Sequence, residues 1–179
     1  MRGFLGGIAA TLFVVLGGVL LVANRGWFPV GADNPPGFLE RRLSHMAVNA
    51  HIASHAPKQE NPVQPTPVTL AEGAQIYERN CAVCHGGAMH KISPLRTKFS
   101  PPIPQLVNRV PDDPDADFWW ITKHGIRLTG MPGWDGILND DQIWKVVAFI
   151  KRSDKLPPEA AAAWQQAADT TRPPTTEKR

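Results

Sequence analysis

The chain contains two cysteines, and both fall in one five-residue block, CAVCH, residues 81–85. Two thiols three positions apart and followed at once by an imidazole admit three kinds of chemistry. A redox dithiol of the thioredoxin type follows a strand and opens a helix; here the block closes the helical segment LAEGAQIYERN, and no strand pattern precedes it. Structural zinc needs four ligands in tetrahedral spacing. Cys81, Cys84 and His85 are too crowded for that role, and no second C-x-x-C completes the set. The third chemistry is covalent haem attachment, in which both thiols add to porphyrin vinyl groups and the next histidine binds iron. The spacing then has a cause: two thioether bonds pin one porphyrin edge, so the following side chain is delivered beneath the metal. His85 is the expected proximal ligand, through Nε2.

A carrier of single electrons needs a second protein ligand, and the His/Met pair is the one suited to electron transfer. Of the four methionines, Met1 and Met46 lie far upstream, and Met89 is too near His85 to reach the opposite haem face. Met131, in TGMPGW, has enough chain before it to wrap over a haem, and Pro132 restricts the loop that would present its sulfur. His124 and His90 are the competing ligands. Expected metal ligands are therefore His85 and Met131.

The elements that must position these groups can be read from periodicity. Residues 3–23, GFLGGIAATLFVVLGGVLLVA, carry no charge and at helical rise span roughly 30 Å, the thickness of a hydrocarbon core. A retained transmembrane anchor over residues 1–26 is the expectation, with a cleaved signal peptide as the competing reading. Trp27 and Phe28 follow, where aromatics sit at headgroup level. Residues 38–56 place Leu39, Leu43, Met46, Ala47 and Ala50 on one helical face and Arg41, His45, His51 and His55 on the other, which predicts an amphipathic helix near the membrane surface. His51 and His55 are four apart, but without an acidic or cysteine companion they read as a solvated polar face. The proline-rich stretch 57–68 predicts an extended linker, so residues 27–68 form the connecting region.

A haem domain is expected over 69–155, with an extension over 156–179. Thr69 and Glu72 suggest a capping box for its first helix. Residues 86–118 lack periodicity and hold six prolines, which predicts a loop ordered by a bound cofactor. A short helix ending at Gly125 and a helix capped by Asn139, with Ile143, Val146, Val147 and Ile150 as its stripe, follow. An alanine-rich helix over 157–169 and a frayed tail complete the chain. The formal net charge of +3 is spread without a dense Lys/Arg stripe, so nucleic acid is excluded as a partner. No catalytic acid, base or nucleophile arrangement is visible, and no small-molecule substrate is indicated.

The segments GAQIYERNCAVCHGG, SPL, ITKHGIRLTGMPGW and DDQIWKVVAFIKR, within residues 69–153, resemble class I cytochrome c, in a membrane-anchored monohaem bacterial form. The resemblance implies an all-α fold in which Gly73 and Tyr77 of an N-terminal helix meet Trp144 and Phe149 of a C-terminal one. It implies one covalently attached haem c. It also implies a proline carbonyl that accepts a hydrogen bond from the proximal histidine; Pro94 matches that position, with Pro101 or Pro102 as substitutes. Trp134 matches an aromatic that packs on the haem edge or reaches a propionate, and Arg96, Lys98 and Arg127 are candidate propionate partners.

With both axial positions filled, the expected activity is electron transfer and not enzymatic turnover. The haem domain would lie in the periplasm, tethered to the bacterial inner membrane, with membrane lipid and redox proteins as partners. Lys91, Lys98, Lys123 and Arg127 are candidate rim charges for transient docking. Two other classes stay open: a sensor or enzyme with a labile Met131, and a haem subunit docked in a larger respiratory complex through 38–56 and the C-terminal extension.

Overall fold

The computed structural model describes residues 2–171; the frayed tail expected at the C-terminus lies outside them from residue 172 onward. Among the described residues the chain is helical with no strand, apart from one isolated bridge between Asp135 and Leu138. The all-α expectation is met. Two compact units divide it, Met1–Asn34 and Pro35–Arg179.

The first unit is α1, Arg2–Asn24, with a short turn. Its described side chains are all exposed. The stretch Gly3–Asn24 has a mean hydropathy of 2.5 and is long and apolar enough to cross a bilayer, a property that signal sequences share.

The second unit is built on the crossing of α3, Pro67–Asn80, with α6, Asp140–Ile150. In α3 the buried residues are Leu70, Gly73, Ala74 and Tyr77, at the i, i+3, i+4, i+7 spacing of one helical face. Gly73 sits at the closest approach: a Cβ there would strike the backbone carbonyl of Lys145 and lie 3.1 Å from the Cβ of Phe149. Only a residue without a side chain lets the two backbones come this near. Tyr77 then packs on Phe149 with ring centroids 5.1 Å apart. Trp144 does not join them; it stacks on Trp119 of α5, Asp115–His124, at 5.4 Å and 19°. At the surface, Lys145 pairs with Glu72 and Asp141, each at 2.7 Å, across the same crossing.

Caps explain where these helices begin. α6 starts as expected at Asn139, whose Oδ1 accepts from Gln142 N while Gln142 Oε1 accepts from Asn139 N, both at 2.9 Å. α3 starts earlier than expected. Thr66 is its N-cap, exchanging side-chain to backbone hydrogen bonds with Thr69, and Pro67 takes the first helical position, where its missing N–H costs nothing.

The C-terminal extension is part of the core. α7, Pro158–Thr171, buries Ala160, Trp164, Ala167 and Ala168. Trp164 meets Phe149 edge to face at 5.0 Å, and Ala160 closes a second cluster with Leu70 and Ala148. The helix therefore covers a face of α3 and α6 that would otherwise be wet.

The connecting region also differs from the expected loose linker. α2, Phe38–His55, packs on α5. Ile52 is buried, and the stacked rings of His51 and His55, with centroids 4.0 Å apart, lie against Trp120. The polar face thus docks on an aromatic ring instead of being fully solvated. Farther along, Asn61 donates from Nδ2 to the Trp144 carbonyl at 3.0 Å, so the proline-rich stretch is fastened to α6.

Candidate haem site

Cys81, Cys84 and His85 lie on one short turn. Cys81 is the C-cap of α3, with its N–H donating to Tyr77 O at 2.7 Å, and α4, Ala82–His85, follows at once. Cys84 and His85 N–H groups both donate back to the Cys81 carbonyl, at 3.1 and 2.9 Å. One helical turn is what carries residues i and i+3 to the same side. Both thiols are free and half-buried. Burial, with the neighbouring Cys84 adding to it, pushes the Cys81 thiol up to about 12.

His85 is oriented from behind. Its Nδ1 is 2.8 Å from the carbonyl oxygen of Pro104. A carbonyl only accepts, so Nδ1 carries the proton and Nε2 of the neutral ring keeps its lone pair. Burial lowers the pKa of His85, opposed by this same hydrogen bond, which favours the neutral ring. Such a backbone acceptor fixes the tautomer and ring angle of a metal-binding histidine and raises its basicity. The acceptor is Pro104, and not Pro94, Pro101 or Pro102. Pro94 is exposed at the far side of a turn whose bonds run through Ser93. The chain from 86 to 103 is longer than the shortest return to His85, and only at Pro104 does it come back to the ring.

Two side chains with no local sequence signature hold this return path. Gln105 accepts from Ser93 N at 2.6 Å and donates to Cys84 O at 3.1 Å and Ile103 O at 3.0 Å. Ser93, itself buried, donates to Val83 O at 2.6 Å. Leu106 N donates to His85 O at 3.1 Å. The loop expected to be ordered by a cofactor is therefore also ordered by these bonds to the attachment turn.

On the exit side, Gly86 adopts φ +83, and a Cβ there would strike the Lys91 carbonyl. Tyr77 donates its hydroxyl to Gly86 O at 2.7 Å. Glu78 Oε2 accepts from Ala88 N at 3.1 Å and from Trp164 Nε1, and Lys91 Nζ lies 4.0 Å over the Trp164 ring. α7 thus reaches the segment just after His85. Of the four charges expected on the docking rim, Lys91 is engaged with Trp164 and Lys123 pairs with Asp140 at 2.7 Å.

Met131 lies in the loop between α5 and α6. Gly125 ends α5 at φ +69, and Ile126 N donates to Met131 O at 3.1 Å to close the loop on itself. Thr129 Oγ1 donates to Ile126 O at 2.7 Å and accepts from Met131 N at 3.1 Å. Trp134 N donates to Thr122 O and Lys123 O, which ties the loop to the last turn of α5. Gly130 lies against the Phe99 ring, so closely that a Cβ would collide with it. That contact joins the methionine loop to the 86–104 loop. The competing ligand His124 tilts against Trp120, with ring centroids 4.8 Å apart. No group of three or more His, Cys, Asp or Glu side chains that could hold a metal ion occurs among the described residues.

These features fit a haem c: two free thiols and a neutral imidazole with Nε2 available, on one turn. The chain is a class I c-type cytochrome, a family it shares with relatives matched over its central region. The family model of cytochrome c oxidase, cbb3-type, subunit III matches residues 68–150. Cytochrome c6 of Tetradesmus obliquus is 33% identical over 82 residues, 45% of this chain and 86% of that protein. Cytochrome c6 of Limnospira maxima is 30% identical over 81 residues, 45% of this chain and 89% of that protein. Membership brings covalently attached haem c and a monohaem electron-carrying function.

Proposed function

We propose that this protein is a membrane-tethered carrier of single electrons between redox proteins in or near the bacterial inner membrane, with its haem domain in the periplasm. Cys81 and Cys84 would form the thioether bonds to haem c, and His85 and Met131 would ligate its iron. The observation that carries the reading is the hydrogen bond from His85 Nδ1 to the Pro104 carbonyl, on the same turn as two free thiols. Haem c, once bound, supplies one-electron Fe(III)/Fe(II) chemistry, and a thioether ligand raises its potential.

The protein's own part is to hold ligands still, so that little rearranges as charge changes. Pro104 and Gln105 keep the imidazole angle, and Thr129 keeps the methionine backbone. Trp134, following Met131, would cover the haem edge or donate from its indole N–H to a propionate; Arg96, Lys98 and Arg127 are the cations for the remaining propionate charge. The apolar helix α1 supports tethering. The family description of an oxidase subunit favours a second reading, in which the protein serves as a haem subunit within a respiratory complex.

Absorption spectra of the purified protein, oxidised and reduced, with and without carbon monoxide, test the proposal against Met131→Ala. The wild type should show the ferric methionine–iron charge-transfer band and resist carbon monoxide, and the variant should lose the band and bind the gas. A wild type that already binds carbon monoxide, or a variant with unchanged spectra, rejects Met131 as the stable ligand and brings forward a sensor or a bis-histidine site.

A further inference from the structure

α2 carries apolar residues on two faces: the buried Ile52 and the half-buried Val48 turn to the haem domain, while its longer apolar stripe does not. Val48, His51, Ile52 and His55 lie on the side that meets Trp120. At 100° per residue, Leu39, Leu43, Met46 and Ala50 fall on the opposite side. These are exposed, with Leu39 at 65%, Leu43 at 55% and Met46 at 59%, and Phe38 adds a further exposed ring at the helix start. A soluble domain has no reason to orient a helix this way, since packing the apolar stripe inward would remove it from water.

We propose that the stripe Leu39, Leu43, Met46 and Ala50 seats in the acyl–headgroup boundary of the same bilayer that holds α1, so that α2 is a bracket fixing the haem domain's orientation to the membrane. This rests on the tethered reading. Three observations choose lipid as the occupant. The connection between Asn24 and Phe38 is 13 residues, a tether whose reach is at most about 50 Å even when fully extended. Trp27 and Phe28, both exposed, lie in that connection with the amphipathic character of interfacial anchors. Of the charged side chains of α2, Arg42 borders the stripe at 100° per residue, a positive charge suited to anionic headgroups. Because His51 and His55 clamp the other face to Trp120, seating the stripe would orient α5 and the loop that follows it as well.

The test uses the full-length holoprotein in bilayers of mixed phosphatidylcholine and phosphatidylglycerol. With Cys81 and Cys84 consumed by haem, a nitroxide can be placed on single cysteines at Leu39, Leu43 and Met46, and at Arg41 and His45 as opposite-face controls. Paramagnetic relaxation is read with oxygen, which concentrates in lipid, and with a water-soluble nickel chelate. The expected result is a change of sign in the logarithm of the oxygen-to-nickel accessibility ratio, positive on the stripe and negative at Arg41 and His45. Equal nickel access at all five positions overturns the proposal. Stripe labels shielded from both reagents also overturn it, and assign the face to a second copy or a protein partner. Failure of the tethered reading shows separately, as a mature mass lacking α1; the same labels on that shorter protein, mixed with vesicles of the same lipids, then decide the α2 face alone.

Discussion

The segments that present His85 and Met131, the two proposed ligands, are held in different ways. The His85 side is braced from outside: α3 supplies Tyr77 and Glu78, α7 supplies Trp164, and the 93–106 loop supplies Ser93, Pro104 and Gln105. The Met131 side has fewer outside supports: besides its own Ile126–Met131 backbone bond and the Thr129 hydroxyl, it is tied to the last turn of α5 through Trp134 and Asp135 N–H groups and lies against Phe99. Damage to the first side should therefore appear as global instability, whereas damage to the second should appear as loss of a ligand from a protein that is still folded. The difference also bears on dynamics, because a loop with few external supports opens at lower free energy than a core helix.

Trp164→Ala should break the comparison hardest. Removing this buried indole costs about 3–5 kcal/mol and takes one of two donors from the Glu78 carboxylate, so thermal melting should fall steeply with the haem spectrum and helicity lost together. Gly73→Ala comes next. The added methyl meets backbone that cannot swing aside, and about 1–3 kcal/mol should be lost in denaturant titration. Either variant melting in two stages, ligand first, would contradict a shared proximal core.

Tyr77→Phe should cost about 1–2 kcal/mol by leaving the Gly86 carbonyl short of a donor. It carries a pH signature as well. Burial chiefly, with nearby negative charge adding to it, pushes the Tyr77 hydroxyl far above its ordinary value of 10.0. A raised pKa means that the folded state keeps a proton which the unfolded chain gives up. The stabilisation is whole below pH 10 and declines as pH rises beyond it. Wild-type stability should fall over that alkaline range more steeply than that of Tyr77→Phe.

The smallest global effect, and the sharpest separation of the two sides, is expected from Thr129→Ala. About 1 kcal/mol should be lost, confined to the methionine loop. The charge-transfer band should disappear at a lower temperature than in wild type while the far-ultraviolet melt barely moves. Coincident shifts of both signals would show that the methionine loop belongs to the same cooperative unit as His85.

What the sequence revealed follows the same division. CAVCH, the TGMPGW loop, the Asn139 cap and the α6 stripe were legible because each depends on local spacing. Gly73 and Tyr77 were legible only through resemblance, and the structure places both against Phe149. The acceptor for His85 was not legible: Pro94, Pro101, Pro102 and Pro104 differ only in where an aperiodic loop carries them, and Gln105 has no local signature at all. The start of α3 was misread by one turn because Thr66 and Thr69 both offer a capping hydroxyl, and Pro67 decides between them. α2 was read correctly as amphipathic, but periodicity cannot say which face meets the protein when an aromatic ring such as Trp120 accepts imidazoles.

The placement of α7 means that ancestry and foldability set different borders. The family match ends at residue 150, yet the apolar surface of α3 is finished only by Ala160, Trp164, Ala167 and Ala168. A trimmed protein cut to the matched region would keep Cys81, Cys84, His85 and Met131 and still present a raw hydrophobic flank to solvent. During synthesis, too, α7 leaves the ribosome after α3 and α6, so the heart of the domain is sealed late.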